Sequence, residues 1–290
     1  LNCIGYVFDI SREAFAFVWQ YPKGADSKKA PVSLNSLLKL DDQERAHRNQ
    51  VRPSLSQKIK LAQHLASALL TFHGVDWLHK NFNSHSVYIF FREPKAQAGH
   101  LELMYDEPFI GGFDVARPDD PGQVSLAWGD SNQRLYDAPK VRLAEKTLEQ
   151  SQRLASEVQS SVKYSITTQT KDDATPQDAE QAPATQDANR PPRFKRSFDV
   201  YSLGMLLFEI GTWDSIDRYS IDRENRPLAP FDFTNRIRRY CRLRLPSFMG
   251  NRYMDVTLKC LDGDYSQDQG NVDGFYLSVV QELAMCHCQD

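Results

Sequence analysis

The chain has 290 residues, with 35 Lys and Arg against 38 Asp and Glu, for a net charge of −3. That length suits one ordinary domain or two small ones, with chain to spare for a core. The near balance of charge argues against a dedicated nucleic-acid binder. No apolar run approaches the roughly 20 residues that a membrane helix needs, and no secretory signal is visible.

In chain order, Cys3 to Phe8 and Phe15 to Tyr21 are rich in β-forming residues and predict a hairpin. Pro22-Lys23-Gly24 ends it. A short helix is expected over Ser33 to Lys39, capped by Ser33 or Asn35, and Gln43 to Gln50 reads as exposed. Ser54 to His73 carries an amphipathic stripe of Ile59, Ala62, Leu65, Ala66, Leu69 and His73. Pro53 and Ser54 start this helix, and Gly74 is expected to end it in the left-handed conformation. His64 and His73 read as packing or surface residues. A polar loop follows, then a strand in VYIFF and short strands over Leu101 to Tyr105 and Phe109 to Phe113.

Residues 140–193 interrupt this pattern. Val141 to Val162 predicts a solvent-facing helix. Lys171 to Pro192 is built from Asp, Gln, Ala, Thr and Pro, has almost nothing to bury and is expected to be disordered. Then comes Ser197 to Gly211, SFDVYSLGMLLFEIG. With Leu203, Met205, Leu206, Leu207, Phe208 and Ile210 on every face, it predicts a buried helix at the centre of the fold. Asp199 falls in its first turn, beside the positive end of the helix dipole. Pro227 to Phe233 reads as a loop. Asn235 to Leu245 reads as a basic amphipathic helix with Ile237, Tyr240 and Cys241 inward, and Tyr253 to Leu261 and Phe275 to Cys286 as the closing helices. Arg236, Arg238, Arg239, Arg242 and Arg244 read either as a solvated face or as a dock for an acidic partner.

The five cysteines are odd in number and lack framework spacing, which fits a reducing, cytoplasmic setting. Cys286-His287-Cys288 has no second ligand pair at zinc-site spacing, so free thiols and no metal site are expected. Position 1 is Leu rather than Met, which suggests a segment of a longer protein.

The run Asp199 to Thr212, DVYSLGMLLFEIGT, resembles the central helix of the protein-kinase C-lobe, DVYSFGVLLLEIxTG. The order of elements before it resembles the same lobe over most of the chain. LPSFMGNRYMDVTLKCLDGDY near the end is similar to a fungal family of kinase-like domains associated with incompatibility and prion-propagation proteins. The resemblance implies an α+β, kinase-like fold occupying the whole chain. Residues 1–24 would be an N-lobe remnant and hinge, 25–139 and 194–290 the two parts of a mostly helical C-lobe, and 140–193 an insert. The glycine-rich loop and the phosphate-binding Lys strand would lie before Leu1.

Set against the catalytic-loop pattern H-R-D-L-K-P-x-N, this chain reads His79-Lys80-Asn81-Phe82-Asn83-Ser84-His85-Ser86. Asn81 then stands for the catalytic Asp, and a neutral amide is not a useful base. Asn83 stands for the phosphate-contacting Lys and Ser86 for a metal-binding Asn. Against D-F-G, Gly112 stands for the magnesium-binding Asp before Phe113, with Asp114 two positions late. In the hinge Trp19-Gln20-Tyr21-Pro22, Pro22 falls where a backbone N–H meets adenine, and proline has none. Trp19 falls near the gating residue and is expected to fill the pocket behind it. His79 and Phe113 would stack in the column joining the lobes, and Asp199 would hold the catalytic-loop backbone. Tyr136-Asp137-Ala138-Pro139 resembles the end of the substrate loop, with Lys140 replacing the usual Glu.

The resemblance therefore implies a catalytically inactive kinase-like module in an intracellular fungal signalling protein. It would have no cofactor and no ATP binding, and its partner would be a protein. The alternatives are an atypical kinase or nucleotide binder using Asp114, and a plain structural spacer.

Overall fold

The computed structural model describes residues 2–11, 13–41, 43–44, 52–93, 102–120, 133–144, 146–147, 150, 153, 194–263 and 272–286. Most of the 140–193 insert, and with it the expectation of disorder, lies outside them, as does most of Gln43 to Gln50. Within them the chain is mixed α+β, dominated by helices and carrying small antiparallel sheets.

Strands β1 (Cys3–Asp9) and β2 (Ala14–Trp19) pair antiparallel, Tyr6 opposite Phe17 and Phe8 opposite Phe15. Every residue of β2 is exposed. The rings of Tyr6 and Phe8 pack against Phe15 along the ribbon, at centroid distances of 5.6 and 5.0 Å. After β3 (Val32–Ser33), helix α1 (Leu34–Lys39) begins with the Ser33 hydroxyl accepting from the Ser36 N–H. Helix α2 (Leu55–Gly74) starts on a complete capping box. The Gln57 N–H donates to the Ser54 hydroxyl, and the Ser54 N–H donates to the Gln57 side chain.

The end of α2 differs from expectation. Gly74 stays helical, Val75 caps the helix, and the left-handed residue is Asp76 at φ 58°. Asp is among the few side chains that tolerate that region. Strand β4 (Trp77–Leu78) then pairs with β7 (Arg117–Pro118), while β5 (Val87–Ile89) lies between β3 and β6 (Phe109–Ile110). The strand expected to reach Phe113 stops at Ile110, because Gly112 turns left-handed and a 3-10 turn over Phe113–Val115 follows. Leu103 makes only an isolated bridge to Phe91.

Helix α3 (Arg196–Thr212) is the hub: every residue from Asp199 to Gly211 is buried. It packs against α2, against α4 (Pro230–Met249) and against α5 (Asn251–Asp262). Gly204 allows close approach of α5, since a Cβ there would stand 2.9 Å from the Cys260 Cβ. Helix α4 begins earlier than its apolar pattern suggested. Pro230 to Phe233 is its first turn rather than a loop, with Pro230 at the opening position where a missing N–H costs nothing. The final helical stretch runs from Val272 through a π segment (Tyr276–Val280) to Ala284, so Cys286 lies just beyond it. Cys241, Cys260 and Cys286 are buried and Cys3 exposed, all four as free thiols. No helix among the described residues is long and apolar enough to cross a membrane.

Candidate functional site

The loop 79–86 is held from below by one carboxylate. Asp199, fully buried in the first turn of α3, accepts from the His79 N–H at 2.9 Å and from the Lys80 N–H at 2.8 Å. His73, near the end of α2, places Nε2 3.3 Å from the same carboxylate. Lys80 sits at φ 65°, so the two donated bonds fix a backbone turn that a Lys would not otherwise favour. On its other side the loop rests on a buried polar chain. Asn35 donates to the Ser84 hydroxyl at 3.2 Å, Ser84 meets the Tyr136 hydroxyl at 2.6 Å, and Tyr136 donates to Glu209 at 2.7 Å. Glu209 also accepts from the Ile216 N–H at 3.0 Å. Burial pushes the Glu209 carboxyl up to about 8, against the opposing pull of the Ile216 and Tyr136 hydrogen bonds.

Within the loop the polar side chains bond to one another. Asn83 donates to the Asn81 amide oxygen at 2.5 Å, and its own amide oxygen accepts from the N–H groups of His85 and Ser86. The Ser86 hydroxyl donates back to the Asn83 carbonyl at 2.8 Å and accepts from the Asn83 N–H. Gly112 closes this cluster. At φ 75°, a Cβ on it would come within 2.9 Å of the Asn81 amide nitrogen and 3.0 Å of the Ser86 Cβ. The four positions 81, 83, 86 and 112 thus converge, and none carries a carboxylate. Asp114, the nearest acid in sequence, is exposed on the 3-10 turn. Among the described residues no three His, Cys, Asp or Glu side chains gather as metal ligands would.

His79 and Phe113 meet at 5.1 Å between ring centroids, and Phe72 of α2 stacks on Phe113 at 5.5 Å and 14°. The Asn81 N–H donates to His79 Nδ1 at 3.3 Å, while the buried His79 Nε2 finds no hydrogen-bond partner among the described residues. Burial holds the imidazole below its usual range, outweighing the opposite pulls of the Asp199 charge and the Gly111 carbonyl.

Above this stack opens a cavity of about 680 Å³. Trp19, Gln20 and Tyr21 line one side, and Pro22 is not among its walls. Trp19 does not fill the space. It is paired with Cys3 in the hairpin, which leaves it half exposed at the cavity wall. Tyr21 instead packs edge-on against Phe90 at 5.3 Å.

The basic cluster on α4 is divided. Arg236 donates to the Tyr219 and Ile221 carbonyls, and Arg238 pairs with Asp262 at 2.6 Å and donates to the Leu261 carbonyl. Arg244 donates to the Tyr219 hydroxyl and lies over the Tyr240 ring. Arg239 and Arg242 are exposed. Pro139 is half-buried at the start of a helical turn, and Lys140 is exposed.

Sequence reasoning missed two participants, His73 and Phe72. Both lie on α2: His73 falls in the amphipathic stripe and reads as packing, Phe72 lies outside that stripe, and both meet partners far along the chain. Compared with known proteins, the chain matches no family model and no curated protein.

Proposed function

We propose that this chain is a kinase-like domain that does not transfer phosphoryl groups and serves as a protein-interaction or regulatory module. The fungal incompatibility-associated setting comes from the sequence resemblance. One observation carries the negative half: the side chains standing at the base, phosphate and metal positions are Asn81, Asn83, Ser86 and Gly112, bonded or packed against one another. Phosphoryl transfer depends on metal positioning and charge stabilisation. Neither amide nor hydroxyl supplies the anionic ligands a magnesium ion needs. Nor is there room for a carboxylate at Gly112 without moving Asn81 or Ser86. For the positive half, Arg239 and Arg242 offer two exposed cations, while Arg236 and Arg238 are engaged within the chain.

The test is a thermal melt with ATP and magnesium or manganese. A ligand at 100 times its dissociation constant stabilises by about 2.7 kcal/mol. The expected result is no shift at millimolar nucleotide and no transfer of labelled phosphate to a general protein substrate. A metal-dependent rise in melting temperature would overturn the reading.

A further inference from the structure

The outer face of α4 carries a pattern that packing within the chain does not use. Phe231, Asn235, Arg239, Arg242 and Leu243 are all exposed, and their spacing sets them in one stripe along the helix. Leu243 is 64% exposed and Phe231 48%. At 1.5 Å of rise per residue the stripe runs about 18 Å, or about three turns.

The charges along it are uneven. Arg239 and Arg242 stand three residues apart, where side chains on one helix face are neighbours and like charges repel. Leu243 lies one turn beyond Arg239, so the exposed leucine sits beside both guanidinium groups. At the Phe231 end stands Asp232, in the first turn, where its charge suits the helix dipole. Arg236, Arg238 and Arg244, by contrast, engage the Tyr219 and Ile221 carbonyls, Asp262 and the Tyr219 hydroxyl of the same chain.

The number of cations decides the class of partner. Basic segments that hold anionic membranes cluster about four to eight Lys or Arg. Proteins that hold duplex DNA neutralise on the order of six to ten phosphates. Two arginines meet neither demand, and the net charge of −3 opposes both. A pair of peptide carboxylates matches them one for one, since each guanidinium can take a carboxylate through two parallel bonds. Phe231 and Leu243 then offer apolar ground to the side chains that flank those acids, in the manner of a helix laid on a groove.

From these features we infer that this face of α4 docks an amphipathic helix of a protein partner, acidic over the half that meets Arg239 and Arg242 and neutral or basic toward Asp232. An antiparallel approach places the first half of the partner helix against the two arginines, where acidic residues also suit that helix's own dipole. The inference names the partner for the protein-interaction half of the proposed function and rests on that reading.

The probe is a fluorescein-labelled, stapled helical peptide of about 16 residues, with an apolar stripe of Leu and four Glu in its first half. Fluorescence anisotropy with the wild-type chain is expected to show saturable binding below about 1 mM, weakening as salt rises from about 50 to 300 mM. The same peptide with Lys for Glu is expected not to bind. Combined Arg239→Glu and Arg242→Glu is expected to weaken binding about tenfold or more, with circular dichroism and melting temperature near those of wild type. Leu243→Ser, which leaves both charges, is expected to weaken it several-fold and serves if the double variant does not fold. Reversal of two exposed lysines elsewhere, Lys60→Glu with Lys140→Glu, changes net charge equally and is expected to leave binding within about twofold. Binding unchanged in both α4 variants would overturn the inference, as would an equal loss on reversal at Lys60 and Lys140. A folded wild-type chain that leaves the peptide free at 1 mM would overturn it too, with the failure to bind nucleotide still standing. A melt that rises with ATP and metal while the peptide binds as expected would overturn the catalytic half of the proposed function and leave this docking face in place.

Discussion

Replacing Asp199 with Asn separates charge from shape at the point where the loop is anchored. The carboxylate is fully buried and receives two well-aligned backbone N–H groups, from His79 and Lys80, with His73 Nε2 as a longer third contact. Hydrogen bonds to a charged acceptor contribute about 1.5–3 kcal/mol each. Asn keeps one accepting oxygen, but its NH₂ then faces one of the two backbone donors, so one bond is lost and a donor is left unpaired in the interior. Allowing for non-additivity, the expected cost is about 2–4 kcal/mol. For a domain of this size that lowers the melting temperature by roughly 2–4 °C per kcal/mol. Asp199→Ala removes both acceptors and adds a cavity, so it should cost more than Asn. Urea unfolding gives the magnitude, and amide hydrogen exchange at His79 and Lys80 gives the location, since those two amides should lose protection first. A stability within 0.5 kcal/mol of wild type for Asp199→Asn, with those amides still protected, would refute the anchoring argument.

Glu209 predicts a pH dependence with a definite sign. Its carboxyl titrates near 8 in the folded chain, above its unfolded value, so the folded state binds the extra proton. The stability this contributes is fully present below the unfolded value and is lost as pH rises through about 8. Glu209→Gln, which carries no titratable group, should flatten that decline in denaturant midpoints measured from pH 5 to 9. Gly112→Asp should destabilise by about 1–3 kcal/mol in chemical unfolding, from left-handed backbone strain and overpacking against Asn81 and Ser86. It should also restore no metal binding by calorimetry. Charge reversal at Arg238 breaks the Asp262 pair and the Leu261 contact and should lower the melting temperature measurably, whereas reversal at Arg239 should change stability by less than about 0.5 kcal/mol.

What was legible in the sequence is what local physics alone decides. A helix apolar on all sides must be a hub, so Leu203 to Ile210 announce their burial. Pro53 and Ser54 announce a helix start, and the structure adds Gln57 as the partner that completes the capping box. The hairpin follows from its β-rich composition, but its exposure does not, because Phe15 and Phe17 look like core residues and every residue of β2 lies open. The failures share a cause. Gly74 is the better intrinsic cap, yet the left-handed turn is made at Asp76, where β4 pairing with β7 begins to dictate the path. The five arginines of α4 look alike in sequence. Only the placement of Tyr219, Ile221 and Asp262 on other elements divides those engaged within the fold from those that face outward. His73 reads as part of an apolar stripe because the carboxylate it meets is 126 residues away.

The same division separates what holds the course of the loop from what its side chains can do. Asp199 bonds to backbone N–H groups of residues 79 and 80, and those groups are present whatever side chains the loop carries. Ser84 ties the loop to Tyr136 and Glu209 through a hydroxyl on its inner face. Neither anchor depends on the side chains of Asn81, half-buried, and Asn83, buried, which bond to each other. Substitution at the half-buried Asn81 is therefore expected to cost the scaffold less than substitution at Asp199 or at the buried Asn83. The path of the loop is then no argument for reactivity. Reactivity has to be judged at Asn81, Asn83, Ser86 and Gly112, where the side chains supply hydrogen bonds and close packing but no negative charge.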